Sequence, residues 1–343
     1  MEVRVAVKPI EPLMLRGPGE FDPSARGIAA SARSVGWPSP STFTGTLISE
    51  LLSGRAVGSP ACGWDDFINK YADSLRKAGV EWVRGPYLWD GTNAHVPLTL
   101  DEKTFYIIDL NDLEYCLSNY LRESYESFRR AVKERVREIS RRRAPVARAE
   151  RTGVALRVRS DGVKVVKEGF LYTETFTALH PDASYVFEVK FSRDVENLRG
   201  RAVKFGGEGR IAKLLVDENV LLTEELKKFS GGYAVLLSPF LMVEPPSTCV
   251  NASGGVQIRY KGVELEVVMG RIGVKGLGFA VRENRRKPLL AAIMEGTIVR
   301  VQSCRSAHEL GLYGCISGLS REEELLAKMG FGSFYPLRWL NER

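Results

Sequence analysis

Phe205-Gly206-Gly207-Glu208-Gly209-Arg210-Ile211-Ala212-Lys213-Leu214 sets three glycines and two cations between one apolar run and the next. Ala202 to Phe205 and Arg210 to Val216 have the β-branched and aromatic content of strands, and the glycines make the joint between them a turn. Glycine reaches positive φ without penalty and carries no Cβ. The same turn therefore lets backbone N–H groups approach a phosphate, with Arg210 or Lys213 supplying charge. A plain strand-joining turn and a phosphate-holding loop both fit this spacing.

The texture around the loop is that of a sheet. Phe170 to Leu179, Tyr185 to Phe191, Tyr233 to Val243, Val256 to Tyr260, Val263 to Met269 and Thr297 to Val301 all read as strands. Asp217 to Phe229 and Ser320 to Met329 read as helices, and Gly330-Phe331-Gly332 follows the second directly. The first half mixes the two periods. Val3 to Val7 alternates apolar with charged, Asp65 to Lys77 is a helix closed by Gly79, and Val80 to Trp89 and Val96 to Leu100 flank an Asp90-Gly91-Thr92-Asn93 turn. Trp37-Pro38-Ser39-Pro40-Ser41-Thr42 leads into a short helix that Ser41 or Thr42 can cap and Gly54 can end. Gly45 inside that helix costs about 1 kcal/mol against alanine, which points to close packing on the sheet or to a ligand. The fold class expected is α+β with antiparallel sheets.

Asp112 to Ile139 is the longest periodic segment, with apolar residues every three or four positions. Between Arg129 and Arg143 it carries eight cations and two acids, nearly the whole formal excess of +7. Such a concentration fits a nucleic-acid binder, an acidic protein partner or a solvated helix face. Val154 to Arg159 and Val163 to Lys167 flank Ser160-Asp161-Gly162, a basic hairpin able to wedge into a nucleic-acid strand or simply to stay soluble.

At 343 residues, 44% hydrophobic and 27% charged, the chain has near-average globular composition and room for two domains. It shows no signal peptide and no span-length apolar run, so a cytoplasmic protein without membrane contact is expected. Five cysteines form no C-x-x-C and only three histidines occur, so neither a metal site nor a disulfide framework is expected. Two glutamines against 49 Lys+Arg and 42 Asp+Glu is a bias of proteins from hot environments. No P-loop, nucleophile elbow, H-E-x-x-H or Gly-Gly-Asp-Asp is present. His95, beside its turn, reads as a surface or packing residue rather than a catalyst. His180 or His308 with a nearby Lys or Tyr would suffice for a metal-independent ribonuclease.

Seven blocks in order resemble the third-subunit family of the Cmr effector complexes of type III-B CRISPR systems, within the RAMP superfamily. They are Leu15-Arg16-Gly17 with Phe21; Trp37 to Thr42 with Gly45; Gly85-Pro86-Tyr87-Leu88 with Val96-Pro97-Leu98; Gly169-Phe170-Leu171-Tyr172; Gly206 to Arg210; Lys287-Pro288 with Glu295-Gly296-Thr297; and Gly330-Phe331-Gly332. The arginine-rich helix matches no block. The resemblance implies an archaeal, thermophile-type antiviral protein of two ferredoxin-like, RRM-related domains. The division expected is an N-terminal domain over 1–168, with a helical insertion and the basic hairpin, and a C-terminal domain over 169–343 with Gly-rich loops. It further implies a non-catalytic subunit without cofactor that holds the 5′ tag of CRISPR RNA and docks on the large palm-containing subunit and the backbone subunit. Carried onto this chain, its RNA-binding candidates are Arg16; Ser39, Ser41 and Thr42; Gly206, Gly207 and Arg210; and Gly330 and Gly332, and Lys213 is added from the reading of the turn itself. Arg285, Arg286 and Lys287 join them on charge alone. Two rivals remain: a metal-independent RAMP endoribonuclease that processes CRISPR repeats, and a structural adaptor whose basic helix faces acidic protein.

Overall fold

A computed structural model describes residues 1–15, 32–52, 64–100, 105–121, 124–143, 145–250, 256–277, 279–280, 285–286 and 288–337. Arg16, Gly54 and Lys287 lie outside the described residues.

β1 (Glu2–Pro9) turns Val3, Val5 and Val7 inward and Arg4 and Lys8 to the opposite face. β2 (Ala32–Arg33), α1 (Pro40–Leu51) and α2 (Trp64–Ala78) follow, then β3 (Val80–Trp89), β4 (Ala94–Thr99) and β5 (Phe105–Asp109). α3 (Leu110–Cys116), a π-helical turn over Leu117–Leu121 and α4 (Tyr125–Arg143) lead into a long hairpin of β6 (Val146–Val158) and β7 (Lys164–Leu179). β8 (Ser184–Phe191), β9 (Ala202–Lys204) and β10 (Ile211–Asp217) complete an antiparallel seven-stranded sheet in the order β5-β4-β3-β8-β1-β10-β9. α1 packs on its Val5 face, where Phe43 stacks on Phe187 with ring centroids 3.8 Å apart.

The chain then forms α5 (Leu221–Lys228), β11 (Gly232–Leu236), β12 (Phe240–Met242), β13 (Ser247–Val250), β14 (Val256–Tyr260), β15 (Val263–Met269) and β16 (Ile272–Gly276). It closes with β17 (Phe279–Ala280), β18 (Arg285–Arg286), β19 (Leu289–Ile293), β20 (Ile298–Val301), α6 (Ala307–Leu310), α7 (Arg321–Lys328) and β21 (Phe334–Pro336). A six-stranded sheet runs β13-β14-β15-β20-β11-β21, and β12-β19-β16 form a smaller one. The two large sheets share a core order. β3-β8-β1-β10 and β15-β20-β11-β21 each place the first strand of the set between the third and the fourth.

Two buried charges fix the junction between the sheets. Arg84 on β3 donates to the carbonyls of His308 (3.1 Å) and Ala327 (2.8 Å), and burial pulls its pKa down to about 9. Glu188 on β8 accepts the N–H groups of Leu222 (2.8 Å) and Thr223 (2.6 Å) at the start of α5, and the Tyr87 hydroxyl at 3.2 Å. Burial raises its pKa against the pull of these bonds.

Several expectations change. The division at 168/169 falls inside β7, and β8, β9 and β10 beyond it complete the first sheet. The long periodic segment is broken between α3 and α4, its apolar stripe continuing through the π-helical turn. Ser39, not Ser41 or Thr42, occupies the N-cap position of α1, because Pro40 is already helical, and its side chain makes no capping hydrogen bond. A Cβ at Gly45 would meet nothing within 4 Å, so packing on the sheet does not account for it. Cys304 and Cys315 form a disulfide, which an odd cysteine count and an 11-residue separation give no means to foresee. Such bonds are a recognised feature of intracellular proteins from hyperthermophiles.

Candidate nucleic-acid interface

Three residues, Leu13 to Leu15, gather the candidate segments. Leu13 exchanges both backbone hydrogen bonds with Thr177 of β7, at 2.7 and 2.8 Å. The Met14 carbonyl accepts the Gly207 N–H at 2.8 Å. The Leu15 N–H donates to Ser34 Oγ at 3.0 Å, and its carbonyl accepts from Val35 at 2.8 Å. One extended stretch therefore ties the base of the hairpin, the glycine loop and the approach to α1 together, and Arg16 follows it directly in sequence.

The glycine loop is a closed turn, with the Phe205 N–H donating to the Arg210 carbonyl at 2.8 Å. Gly206 has φ +82°, and a Cβ there would lie 2.6 Å from the Met14 carbonyl oxygen. Gly209 also has positive φ, +65°, but faces open space. The first glycine therefore serves close approach of backbone to backbone, and the last shapes an exposed tip.

Arg210, expected as a phosphate cation, is engaged within the protein. Its guanidinium donates to Glu11 Oε2 at 2.8 Å and stacks 4.3 Å from the Phe176 ring centroid, while Glu11 Oε1 accepts the Ile211 N–H at 3.1 Å. The hydrogen bond from Arg210, then that from Ile211, holds the Glu11 carboxyl below its ordinary value. Only 15% of the Arg210 side chain is exposed. Its charge is matched inside the protein, which leaves it as the clamp that seats the loop on β7. Arg151 lies over the same ring at 5.3 Å and is exposed.

Lys213 is exposed on the outer face of β10, away from α1. Ser39 and Ser41 are half-buried, their hydroxyl oxygens 2.9 Å apart, and the Thr42 N–H donates to the Ser39 carbonyl at 3.0 Å. No side chain caps this helix start and no acid lies in its first turn. Tyr185 donates to the Gly36 carbonyl (2.7 Å) and Trp37 to that of Leu237 (2.8 Å), which fixes the approach to it.

Gly330 and Gly332 do not belong to this surface. Both are buried, a Cβ at Gly330 would lie 3.2 Å from the Val83 carbonyl, and one at Gly332 would press on Tyr313 and Phe240. Their N–H groups already donate to the carbonyls of Ala327 and Pro239. The loop is a tight joint between the two sheets with no donors left for a phosphate. Arg285 and Arg286 form β18, and their side chains lie outside the described residues.

On α4, Phe128, Ala131 and Val132 are buried while Arg130 and Arg137 are exposed. Arg135 lies 5.0 Å over the Tyr115 ring and 3.7 Å from both Asp112 and Glu138, so part of this charge is internally matched. His95 is buried with Nε2 2.9 Å from Asp90 Oδ2. His180 sits in the β7–β8 turn, its ring accepting the Asp182 N–H at 3.3 Å, and His308 lies 3.7 Å from Glu309. Among the described residues, no set of His, Cys, Asp and Glu is placed to hold a metal, and no helix is long and apolar enough to cross a membrane.

Sequence reasoning missed Glu11 and Phe176, which neutralise and seat Arg210, and Lys8 and Lys204, which flank Lys213. Only the strand register brings these residues together.

Comparison with known proteins agrees with this fold. The model of a family described as CRISPR-associated protein (Cas_Cmr3) matches residues 116–339. The CRISPR system CMR subunit Cmr3 of Saccharolobus solfataricus is 27% identical over 300 residues, covering 88% of this chain and 86% of that protein. A chain in the cryo-EM structure of the Type III-B Cmr-beta bound to cognate target RNA superposes with TM-score 0.70 at 26% identity, covering 97% of this chain and 96% of the other. A chain of the same assembly with target RNA and AMPPnP, state 1, gives 0.68 at 23%, covering 98% and 97%, which speaks for the fold.

Proposed function

The chain belongs to the CRISPR-associated Cas_Cmr3 family, and from that premise we propose that it is a non-catalytic RNA-binding subunit of a type III-B effector complex. It holds the 5′ tag of the CRISPR RNA and docks on the large palm-containing subunit and the backbone subunit. The observation that carries the RNA contact is the convergence on Leu13 to Leu15 of the glycine loop with its exposed tip, the approach to α1 at Ser34 and Val35, and the base of the β6–β7 hairpin. Single-stranded RNA is held by phosphate contacts from backbone N–H groups and cations, and by splayed bases. Gly45, open on α1, leaves room for such a strand to pass closely.

The repeated strand order supports two ferredoxin-like, RRM-related units. The first ends after β10 and contains α3, α4 and the β6–β7 hairpin as an insertion between its second and third core strands. The second begins at β11.

Filter binding with guide RNA carrying or lacking the tag tests the role, using the protein alone and with the large subunit. Tag removal should lower affinity in both. Equal affinity with and without the tag refutes tag recognition. Incubation with precursor RNA in EDTA should leave the RNA intact, whereas site-specific cleavage lost in His180→Ala would establish the nuclease reading instead.

A further inference from the structure

Lys8 and Lys213 stand directly opposite each other across the β1–β10 pair, on the face of the sheet turned away from α1. Lys204 on β9 pairs with Ile211 and so lies diagonal to Lys213 on the same face. Directly opposed side chains on antiparallel strands are about 5 Å apart at Cβ and diagonal ones about 7–8 Å, and like charges so placed destabilise the sheet. Lys204 and Lys213 are exposed and Lys8 is half-buried. Among the described residues none of the three has a carboxylate within 4 Å, unlike Arg4, Arg201 and Arg210 around them, which pair with Asp217, Glu50 and Glu11.

The same face carries Ile10, 64% exposed, and Leu215, 37% exposed. Lys204 enters the glycine loop and Lys213 leaves it, so lysines and loop form one continuous surface. This surface lies on the opposite sheet face from the helix that fills the first core.

We propose that Lys8, Lys204 and Lys213 form the phosphate grip of this protein for single-stranded RNA, replacing the internally matched Arg210 in that role. The inference rests on the RNA-binding reading above, shares the Gly206–Gly209 tip with it, and sets the charges on the sheet face beyond that tip. Three cations at these spacings follow successive phosphates of one strand, with the exposed aliphatic groups against sugar and base faces and the Gly206–Gly209 tip at one end.

The test is fluorescence anisotropy with a labelled single-stranded RNA carrying the tag, measured from 50 to 200 mM salt. The proteins are wild type, the triple variant Lys8→Gln/Lys204→Gln/Lys213→Gln, and the matching triple arginine variant. Each phosphate contact on single strands contributes about 0.7 to the slope of log K against log salt. The triple glutamine variant should lose about 2 units of slope, so that wild type loses about 20-fold more affinity over this salt range than the variant does. The arginine variant should keep the wild-type slope. Thermal melting of both variants checks that the fold is kept, and the arginine variant keeps the test decisive if the glutamine one melts early, because a slope lost with charge retained overturns the grip. A wild-type slope in a folded triple glutamine variant also overturns it while leaving RNA binding elsewhere intact. That slope with lost co-purification of other subunits makes the patch a protein-docking face, and with increased self-association a guard on the sheet edge. If wild type binds no RNA at any salt, the parent reading fails and this one with it.

Discussion

Gly206→Ala should destabilise the protein by about 1.5–3.5 kcal/mol, whereas Gly209→Ala, three residues away in the same loop, should cost only about 1–2 kcal/mol. Both glycines have positive φ, +82° and +65°, so both substitutions incur the left-handed penalty of about 1–2 kcal/mol. The difference lies in what the new methyl group meets. At 206 it would sit 2.6 Å from the Met14 carbonyl oxygen, a backbone atom already engaged by the Gly207 N–H. Relief requires Met14 to withdraw, which forfeits that hydrogen bond, a further 0.5–1.5 kcal/mol or so, and disturbs Leu13 and Leu15 on either side. At 209 the methyl group meets open space. Thermal unfolding monitored by circular dichroism reads the difference, at about 2 °C per kcal/mol for a chain of this size. Gly206→Ala should also weaken tagged-RNA binding, because the stretch it dislodges carries the loop, the hairpin base and the approach to α1 together. Equal melting temperatures for the two variants would refute the reasoning, since the chain conformations are alike and only the carbonyl contact separates them.

Other outcomes follow from matched charges and crosslinks. Glu11→Gln releases Arg210 from its counter-ion, so the salt slope of RNA binding should steepen by up to about 0.7; an unchanged slope would place Arg210 away from the RNA path. Glu323 is buried and accepts from Tyr260 and from Lys261, the latter at 2.7 Å. Burial acts to raise its pKa, but the bonds from Lys261 and Tyr260 prevail and hold it below the ordinary 4.5. Its contribution is therefore present above pH 4.5 and lost as pH falls through the lower folded value. Glu323→Gln should cost about 3 kcal/mol at pH 7 and flatten the acid limb of the stability profile, and a variant with an unaltered limb would contradict this. Cys304→Ser, or reduction of wild type, should lower stability by about 2–3 kcal/mol, seen as a lower melting temperature that a reductant leaves unchanged in the variant.

The strands were legible wherever apolar alternation set the face. β1, β3, β8 and β10 lie within a residue or two of their expected spans, and the β6–β7 turn is at the expected Ser160-Asp161-Gly162. The run from Tyr233 to Val243 reads as one strand and is two, β11 and β12, because Ser238 and Pro239 turn the chain where the Ser238 hydroxyl donates to the Gly330 carbonyl at 2.7 Å. The candidate site was legible only in part. Glycine composition marks a turn but does not say whether the turn is outside, as at Gly209, or inside, as at Gly330, since that depends on the sheet that packs against it. Charge composition marks Arg210 but not Glu11, two hundred positions earlier, which neutralises it. Lys8 and Lys204 carry no local signal, and their meaning comes from register.

The placement of β1 bears on how the chain is made. Val5 stands in register with Phe187 on one side and Val216 on the other. During synthesis one edge of the first strand stays unpaired until β8 emerges, just past half of the chain, and the other until β10 emerges, almost two-thirds of the way along. In the meantime the basic hairpin and the helices before it, built from local contacts, can already form. The slow step of folding is then the late arrival of β8 and β10 on either side of an early strand, a high-contact-order closure that leaves the nascent chain exposed to wrong edge pairing.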